Sequence, residues 1–455
     1  MKKEDKKRDP MPPPDATPDE IGEFWDTHSL ADYWDETQEV EVQVNLKPHK
    51  RENRMRDTIR FGDFVEVNPR IRLEKGKEYP YIEMADVNPG NGFVFPQKKR
   101  VYKGGGSRFQ SGDTLFARIT PCLENGKIVR CMHTSNGPCF GSTEFFIFRG
   151  KPNVSDSTYI FYLALSPMIR EPAVKSMTGA SGRQRAILSS VEDIHVPAYS
   201  LATQRKIAAV LSAYDDLIEN NTRRIKILED MVQTLYQEWF VHFRFPGHEN
   251  VPMVESPLGP IPEGWAIKSF GEVSLNFDRQ RKPLSGRVRS TMQGEYPYYG
   301  AAKVLDHIND YLFDGRYLLI GEDGSVVTEE GKPVLQLVTG KFWVNNHTHV
   351  IQGKAPISTN FLYVFMSNVV ISGYVTGTAQ PKINQQNLNR IPVIMPPQSL
   401  LEKFNQMVEP CFDNIVALNL KSTNLSETRD LLLPKLISGE IDISELDIDT
   451  APKSN

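Results

Sequence analysis

The feature that most constrains this chain is a long apolar stripe in residues 201–243. Apolar or aromatic side chains recur there seven residues apart, in two interleaved series spaced by three and four. This spacing forms one stripe along an α-helix and is typical of a coiled-coil seam, in which Asn221 is the one polar position. The stretch contains no proline or glycine and predicts a rod about 60 Å long. The predicted seam residues are Ile207, Leu211, Tyr214, Ile218, Ile225, Leu228, Val232, Leu235 and Trp239.

A second stripe, in residues 398–438, predicts the partner of the first. A Ser-Leu pair at 399–400 repeats the one at 200–201, and a helical pattern follows in both places. Ser422 and Arg429 interrupt the second stripe, and either stripe alone also suits an ordinary core helix. Because the two stripes lie at matching places, we expect them to pack against each other, antiparallel. The second seam comprises Phe404, Val408, Cys411, Ile415, Leu418, Leu425, Leu432 and Leu436.

The length and composition predict a soluble protein of several domains. A chain of 455 residues is long for one core, and 39% hydrophobic with 24% charged residues is typical of globular proteins. There is no run of about 18 apolar residues and no apolar signal segment, so we expect no membrane association and a cytoplasmic location. The four cysteines form no Cys-x-x-Cys pair, and the spacing of Cys122, Cys131 and Cys139 fits no usual metal site. We therefore expect neither disulfides nor a bound metal.

The net charge of −4 does not by itself indicate a nucleic-acid-binding protein. The acidic residues, however, concentrate in the first 50 positions and in residues 440–449. Basic clusters lie between these ends, at residues 98–108, 183–185 and 279–289. Each cluster suits either a solvated surface or contacts to phosphate, so both interpretations stay open at this point.

The chain repeats its own plan after about 200 residues. FGD at 61–63 returns as FGE at 270–272, and Thr-Gly at 178–179 returns at 376–377. In each half a strand-rich region and a short helix lead into a long helix. We therefore predict an α+β protein in which two mixed α/β domains are joined by two long antiparallel helices forming a coiled-coil spacer. The two domains would be related by a pseudo-twofold internal duplication.

The predicted boundaries follow changes of composition along the chain. FGDFVEVN at 61–68 predicts a strand, and short helices are predicted at 159–169 and 359–372. Residues 246–265 hold five prolines and three glycines, which predicts a linker. The predicted segments are an acidic, partly disordered extension (1–54), a first domain (55–199), a first long helix (200–244), a linker (245–264), a second domain (265–397), a second long helix (398–438) and an acidic tail (439–455).

This architecture suits the reading of two short DNA sequences separated by a spacer. One turn of B-DNA is about 34 Å long, and sites on one face of the duplex lie whole turns apart. A rigid rod on this scale would hold two heads at a fixed distance. A flexible linkage would allow any spacing and would lose that selectivity.

Several motifs resemble the specificity subunit of type I restriction–modification enzymes, over about residues 55–441. Five motifs are similar to stretches of the family's two target-recognition domains. In the first half they are GDTLFARITPCLENGKI (112–128) and FGSTEFFIFR (140–149), and in the second half YLLIGEDGS (317–325), FWVNNHTHVI (342–351) and TGTAQPKINQQNL (376–388). Residues 200–240 and 431–441 are similar to the family's two helical spacers.

The resemblance implies a chain that reads DNA without catalytic residues or a cofactor of its own. It implies double-stranded DNA as the ligand and two methyltransferase subunits that clamp the spacer and use S-adenosylmethionine to modify adenine N6 in each half-site. It also implies motor-nuclease subunits, which need ATP and magnesium and cut unmodified DNA. The residues agree with such a reader, since the sequence has no G-x-x-x-x-G-K-[ST] loop, G-x-S-x-G elbow or H-E-x-x-H motif.

The side chains that could contact DNA lie in polar, glycine-containing stretches of both halves. Arg and Lys donate to guanine in the major groove, whereas Asn and Gln pair with adenine. Each candidate also suits an ordinary surface role. Glu144 and Glu322 are expected to hold loops, and His347 and His349, which share a face of a predicted strand, are expected to be structural. The candidates are Arg118, Thr120, Asn125, Lys127, Arg183, Gln184, Arg185, Arg279, Arg281, Lys282, Gln380, Lys382 and Asn384.

The N-terminal arm supports an alternative function. Residues 12–47 resemble small antitoxin-like proteins of bacterial toxin–antitoxin pairs, through FWDTHS at 24–29 and DYWDE at 32–36 ahead of an alternating segment. The same stretch also suits an acidic arm or a fused upstream reading frame, with Met55 as another start. The alternative is therefore a stand-alone DNA-binding regulator or antitoxin-like protein that acts through this arm.

Overall fold

The computed structural model describes residues 57–450, except 91, 134–136, 181, 325 and 378–379. The predicted extension at residues 1–54 lies outside the described residues, so the antitoxin-like resemblance is not addressed by the fold. In the described part, two strand-rich halves are each followed by one long helix.

The described part of the first half contains a five-stranded sheet, a four-stranded sheet and the two-stranded pair β1–β11, together with four short α-helices. Its larger sheet has the strand order β2-β10-β7-β8-β4, and a second sheet has the order β5-β3-β9-β6. The strands are β1 (Thr58–Arg60), β2 (Val65–Val67), β3 (Glu78–Ile82), β4 (Phe93–Val94), β5 (Lys98–Val101), β6 (Ser107–Phe109), β7 (Thr114–Ala117), β8 (Ile128–Cys131), β9 (Cys139–Gly141), β10 (Phe145–Gly150) and β11 (His195–Pro197). The helices are α1 (Phe61–Phe64), α2 (Ser157–Leu165), α3 (Pro167–Lys175) and α4 (Leu188–Glu192).

The central strands β7 and β10 are buried on both faces. Phe116 and Phe146 point to the side covered by α2, whereas Leu115 and Ile147 point to the core shared with the second sheet. A strand covered on both sides needs mostly apolar residues on both faces. The sequences TLFA in β7 and FFIF in β10 have this character. Cys122 packs in the first of these cores, and Cys131 and Cys139 pack in the second, so the three thiols do not converge.

Three short elements differ from their sequence predictions. The first four residues of the strand predicted at 61–68 form the helical turn α1, because Phe61 and Phe64 both enter the core at a spacing of three. The helix predicted at 159–169 is two helices, since Pro167 holds Ser166 in an extended conformation that ends α2. The helix predicted at 359–372 ends earlier, at Ser367.

The second half is built around one sheet with the order β15-β20-β18-β19-β16-β17. Its strands are β12 (Met253–Val254), β13 (Ile261–Pro262), β14 (Ala266–Ser269), β15 (Ser274–Asn276), β16 (Gln293–Tyr299), β17 (Val304–Ile308), β18 (Phe313–Gly321), β19 (Leu335–Val344), β20 (Thr348–Gly353) and β21 (Pro392–Met395). The two long helices are α5 (Leu201–Tyr236) and α10 (Gln398–Ser438), and the short helices are α6 (Phe270–Val273), α7 (Gly286–Arg289), α8 (Thr359–Ser367) and α9 (Gln385–Asn389).

The same connections occur in both halves. Strand β1 pairs antiparallel with β11, and β14 pairs antiparallel with β21, so in each half a strand near the start pairs with the last strand. The Phe61 amide donates to the Ile194 carbonyl at 2.7 Å, and the Phe270 amide donates to the Ile391 carbonyl at 2.8 Å. In the larger sheets β10 lies between β2 and β7, and β20 lies between β15 and β18.

The two long helices run antiparallel and contact each other along their length. Asn221 Nδ2 on α5 donates to Ser422 Oγ on α10 at 3.2 Å, and the rings of Trp239 and Phe404 lie 6.1 Å apart. Helix α5 begins with a cap in which Ser200 Oγ accepts from the Thr203 amide, and it ends in a π-helical turn at Gln237–Val241. The second helix, Gln398–Ser438, occupies the span predicted for it.

About half of the predicted seam residues are buried and the others are half-buried. Residues at the start of α5 and the end of α10 belong to the core of the first half, and those at the opposite ends belong to the core of the second. The buried seam residues are Ile207, Leu211, Val232, Trp239, Phe404, Val408, Leu418 and Leu436. The half-buried ones are Tyr214, Ile218, Ile225, Leu228, Leu235, Cys411, Ile415, Leu425 and Leu432.

The predicted linker and the described part of the predicted tail, residues 439–450, contact the rest of the chain. Phe245, Ile261 and Trp265 are buried in the core of the second half, and β12 pairs with β13 between them. Ile443 is buried against the first half, and Lys206 Nζ donates to the Ser444 carbonyl at 2.6 Å. Among the described residues, no helix has the length and apolar character needed to cross a membrane.

Candidate nucleic-acid interface

Three segments of the first half meet at the end of strand β7. The Arg118 amide donates to the Glu144 carbonyl at 3.0 Å, which joins the strand end to the turn before β10. The Ala186 amide donates to the Arg118 carbonyl at 2.7 Å, which joins it to the polar loop that follows α3. That loop is closed by two backbone hydrogen bonds between Thr178 and Arg185, at 3.1 and 2.9 Å. The result is one surface made from three distant parts of the sequence.

The second half builds the same surface with the same hydrogen bonds. The Glu322 amide donates to the His347 carbonyl at 2.9 Å, and the Ile383 amide donates to the Glu322 carbonyl at 3.0 Å. Thr376 and Lys382 close the loop through two backbone hydrogen bonds of 2.8 Å each. Arg118 is thus equivalent to Glu322, Glu144 to His347, and Arg185 to Lys382.

In both halves a carboxylate contacts the basic residue that closes the loop. The two carboxylates come from different places in their halves. Arg185 forms a bidentate pair with Glu144, with contacts between 2.7 and 3.1 Å. The hydrogen bond from Arg185 holds the pKa of Glu144 below its ordinary value. Lys382 Nζ lies 3.4 Å from Glu322 Oε1. Glu144 precedes β10 and Glu322 follows β18, so the two carboxylates sit at non-equivalent positions.

Glu322 belongs to a buried ionic cluster with Arg281, Asp278 and His349. Arg281 Nη1 donates to Glu322 Oε2 at 2.7 Å and to the Thr348 carbonyl at 2.8 Å. His349 Nδ1 lies 2.5 Å from Asp278 Oδ2, and its Nε2 lies 2.8 Å from the Ile383 carbonyl. Burial is the largest single influence on Asp278 and opposes its ionisation, but the hydrogen bonds from His349, Asn276 and the Val350 amide, with the charge of His349, together outweigh burial, so its pKa lies below the ordinary value.

This cluster anchors the second loop and offers no open metal site. Asp278, Glu322 and His349 have ligand-type atoms close to one another. The guanidinium of Arg281 already supplies the positive charge between the carboxylates, and both ring nitrogens of His349 face partners. The arrangement therefore ties the turn at Asp278–Gln280 to the loop that ends at Ile383, which lie about a hundred residues apart in the sequence.

Comparison with known proteins identifies the chain's family. A family model described as the type I restriction modification DNA specificity domain matches residues 57–230 and 262–404. The chain belongs to this type I DNA specificity family. The role of the family is DNA sequence specificity rather than catalysis.

Two curated relatives are named as specificity subunits of type I restriction enzymes. The chain is 28% identical over 312 residues to the specificity subunit of the type I restriction enzyme MjaIX from Methanocaldococcus jannaschii, covering 64% of this chain and 70% of the relative. The MjaVIII specificity subunit of the same archaeon is 23% identical over 431 residues, covering 86% and 94%. A crystal structure of a type I restriction-modification S subunit from M. genitalium superposes with a TM-score of 0.49 at 15% identity, covering 86% and 99%.

In this type I specificity chain, most first-half candidates gather on the shared surface. Thr120 Oγ1 accepts from the Gln184 amide at 2.8 Å, and Arg183 is exposed in the same loop. Two candidates lie elsewhere. Asn125 lines a cleft of about 610 Å³ between the first half and α10, and Lys127 Nζ donates to the Met84 carbonyl at 2.7 Å.

In the second half, the candidates divide between surface and structural positions. Gln380 Nε2 donates to Asp323 Oδ1 at 2.8 Å, beside exposed Lys382. Arg279 and Lys282 are exposed next to the turn that carries Asp278. Arg281 is committed to the buried cluster, and Asn384 caps α9 by accepting from the Asn387 amide at 2.8 Å. These last two side chains therefore have structural partners already.

The two histidines have different environments, contrary to the prediction that they share one face. His349 lies on β20 and is 1% exposed within the cluster. His347 precedes the strand, is about half exposed, and lies 3.5 Å from Asp323. The backbone turns between them, so the alternation expected of a strand does not extend to His347.

One pair of sites was not singled out in the sequence. The tetrapeptide Glu-Tyr-Pro-Tyr occurs at 78–81 and again at 295–298, on the equivalent strands β3 and β16. The Arg100 guanidinium lies 4.1 Å from the ring centre of Tyr81, and that of Arg289 lies 4.9 Å from Tyr298. The repeated tetrapeptide is the signal that would have located both arginine–tyrosine stacks.

Proposed function

We propose that each half of this chain reads one half of a bipartite DNA site. The observation that supports this most directly is that one hydrogen-bonded surface is built twice, at the two ends of a single antiparallel helix pair. The surfaces carry different side chains, as unequal half-sites require. On this proposal the halves are two target-recognition domains of an internally duplicated, pseudo-twofold chain, with boundaries near residues 199 and 265.

The helix pair acts as a coiled-coil ruler in this proposal. Leu211 is packed in the first core and Val232 in the second, and 21 residues of α5 separate them. At 1.5 Å per residue this distance is about 32 Å, close to the 34 Å length of one DNA turn. Because a helix pair of this length resists bending, the two recognition surfaces are held at one separation.

The exposed face of the helix pair suits the docking of partner subunits. Leu217, Ile227 and Met231 on α5, with Met407 and Leu420 on α10, are more than half exposed. Several of these side chains line a groove of about 690 Å³ together with Trp239. Large exposed apolar side chains along one face are typical of an interaction surface. Two methyltransferase subunits would dock here.

The chemistry would then belong to the partners. The methyltransferase subunits would bind S-adenosylmethionine and modify adenine N6 in each half-site, and motor-nuclease subunits would use ATP and magnesium to cut unmodified DNA. The complex would work on cytoplasmic DNA. This chain would contribute only the recognition of the DNA sequence.

Sequencing of methylated DNA tests the proposal. Cells that express this chain with its methyltransferase subunits are expected to carry adenine marks in a split motif, with a fixed number of unspecified bases between two short half-sites. Cells that express only the methyltransferase subunits are the control and are expected to lack these marks. A continuous motif, or marks that do not depend on this chain, would contradict the proposal.

A further inference from the structure

The equivalent positions Arg118 and Glu322 carry opposite charges. Each residue donates its amide to the turn before the next strand and accepts at its carbonyl from the end of the polar loop. Each therefore lies at the centre of its recognition surface. The backbone hydrogen bonds at these two positions match, so the difference between them lies in the side chains.

In the second half the charge at this position is fully engaged. Glu322 Oε2 accepts from Arg281 at 2.7 Å, and Glu322 Oε1 lies 3.4 Å from Lys382 Nζ. The carboxylate is 13% exposed and belongs to the buried cluster. A carboxylate in this state holds the loop and has little left to offer a ligand.

In the first half the equivalent guanidinium is not engaged. Among the residues that the structure describes, none accepts a hydrogen bond from the Arg118 guanidinium, and its buried Nε lacks a partner. The nearby carboxylate of Glu144 is already bonded to both donor positions of Arg185. The Arg118 guanidinium instead lies over the ring of Phe146, at 4.7 Å from the ring centre.

A stacked guanidinium with unused donors is arranged to receive a planar acceptor pair. The ring of Phe146 is itself 2% exposed and is therefore fixed, so it limits the orientations open to Arg118. Arginine presents its donors in one rigid plane, which matches the O6 and N7 atoms of guanine in the major groove. A phosphate contact would need the charge but not the fixed plane.

We propose that Arg118 is a specificity-determining residue that reads a guanine in the half-site of the first domain. This inference rests on the proposed function of the two halves. It predicts that the half-site read by the first domain contains a guanine at one position, and that the second domain has no counterpart to this contact. The two half-sites then differ because one equivalent position is a free cation and the other a neutralised anion.

Methylation by Arg118→Ala and Arg118→Lys variants, each expressed with the methyltransferase subunits, tests this assignment. Arg118→Ala is expected to accept other bases at one position of one half-site, and Arg118→Lys, which can still donate to guanine without the planar fork, is expected to keep a weakened preference there. The second half-site stays unchanged as an internal control. Arg72→Lys, which removes an exposed guanidinium outside the recognition surface, is expected to leave the motif intact. An unchanged motif in Arg118→Ala, or equal weakening of both half-sites, would overturn the proposal.

A binding measurement with altered DNA separates base reading from a structural role. Replacing the relevant guanine by 7-deazaguanine removes N7 and is expected to weaken binding of the wild-type methyltransferase complex by about 5- to 150-fold. The same replacement is expected to leave the affinity of the Arg118→Ala complex unchanged. Equal losses in both complexes would overturn the contact. If the wild-type complex methylated no split motif at all, the proposed function itself would be wrong.

Discussion

Asp215 on α5 and Arg429 on α10 form a buried ion pair that joins the two long helices. The two residues are 8% and 4% exposed, and Tyr162 of the first half donates to the same carboxylate at 2.5 Å. Arg429 interrupts the apolar stripe of its helix, and the pair explains why a charge is tolerated there. The contact fixes where the two helices meet and also attaches them to the first half.

Removing one member of this pair is expected to destabilise the chain strongly. Arg429→Met leaves the Asp215 carboxylate buried without its cation, which costs about 3–5 kcal/mol. The double variant Asp215→Leu with Arg429→Met is expected to recover much of this loss, because no buried charge remains. Thermal unfolding of the three proteins measures the effect. A double variant less stable than Arg429→Met would contradict this account.

The carboxylates that hold the two loops, Glu144 and Glu322, are expected to contribute unequally to the free energy of unfolding. Glu144→Gln breaks a partly exposed pair and is expected to lower the free energy of unfolding by less than about 1 kcal/mol. Glu322→Gln removes the nearer of the two carboxylates that pair with Arg281 in a largely buried cluster and is expected to cost about 3 kcal/mol.

Each of these two substitutions is also expected to affect methylation in its own half-site alone. Hydrogen exchange in the loops at 178–185 and 376–382 would show which loop is released. If both variants released both loops, or altered both half-sites alike, the anchors would not be local.

Asp278 predicts a specific loss of stability in acid. Its folded-state pKa lies below the ordinary value of about 3.9, because burial, which raises it, is outweighed by the combined hydrogen bonds from His349, Asn276 and the Val350 amide and the charge of His349. A carboxyl with a depressed pKa contributes stability that is present above the unfolded-state pKa and is lost as the pH falls through the folded-state pKa. The difference in melting temperature between wild type and Asp278→Asn is therefore expected to be constant from pH 7 to pH 5 and to shrink below about pH 4. A difference that grows in acid would have the wrong sign.

Shortening both long helices by one heptad is expected to shorten the DNA spacer. Residues 218–224 and 419–425 face each other around the Asn221–Ser422 contact, so deleting both segments keeps the remaining seam in register. The loss of seven residues shortens each helix by about 10 Å, equivalent to about three base pairs.

The methylated motif should then have about three fewer unspecified bases between its half-sites. Deleting only 218–224 should misalign the seam and lower the melting temperature. If the double-deletion protein folded and the spacer were unchanged, the helix pair would not set the distance between the half-sites.

The apolar groove on the helix pair is expected to be needed for partner binding. Ile227 and Met231 are 57% and 56% exposed, so aspartate at both positions should leave the fold intact while placing charge in the interface. Co-purification of the methyltransferase subunits should fall by at least tenfold. Thr222→Asp, on the same helix and already exposed, is the matched control. Full co-purification of the double variant would place the docking surface elsewhere.

Sequence periodicity identified the long helices because it is a local property. The spacing of Val232, Leu235 and Trp239 follows from the pitch of one helix, and it holds whatever the partner. The polar interruptions could not be assigned in the same way. Asn221 meets Ser422, and Arg429 meets Asp215, so each interruption has a partner about 200 residues away.

The candidate interface was predicted less completely, for a similar reason. Arg281 and Arg279 are two residues apart in one basic cluster, yet the first is buried in ion pairs and the second is exposed. The partners of Arg281 come from the residue after β18 and from the first residue of β20, some 40 to 70 residues away. Asn384 is of a residue type that can pair with adenine, but its side chain caps a helix.

The sequence by itself determined the two apolar stripes, the repeated order of elements and the motifs that place the chain in its family, because these depend on spacing along the chain. Only the tertiary structure decided which charges are free. The backbone hydrogen bonds show that Arg118 and Glu322 occupy equivalent positions. Whether the charge at such a position is neutralised depends on side chains from distant parts of the chain.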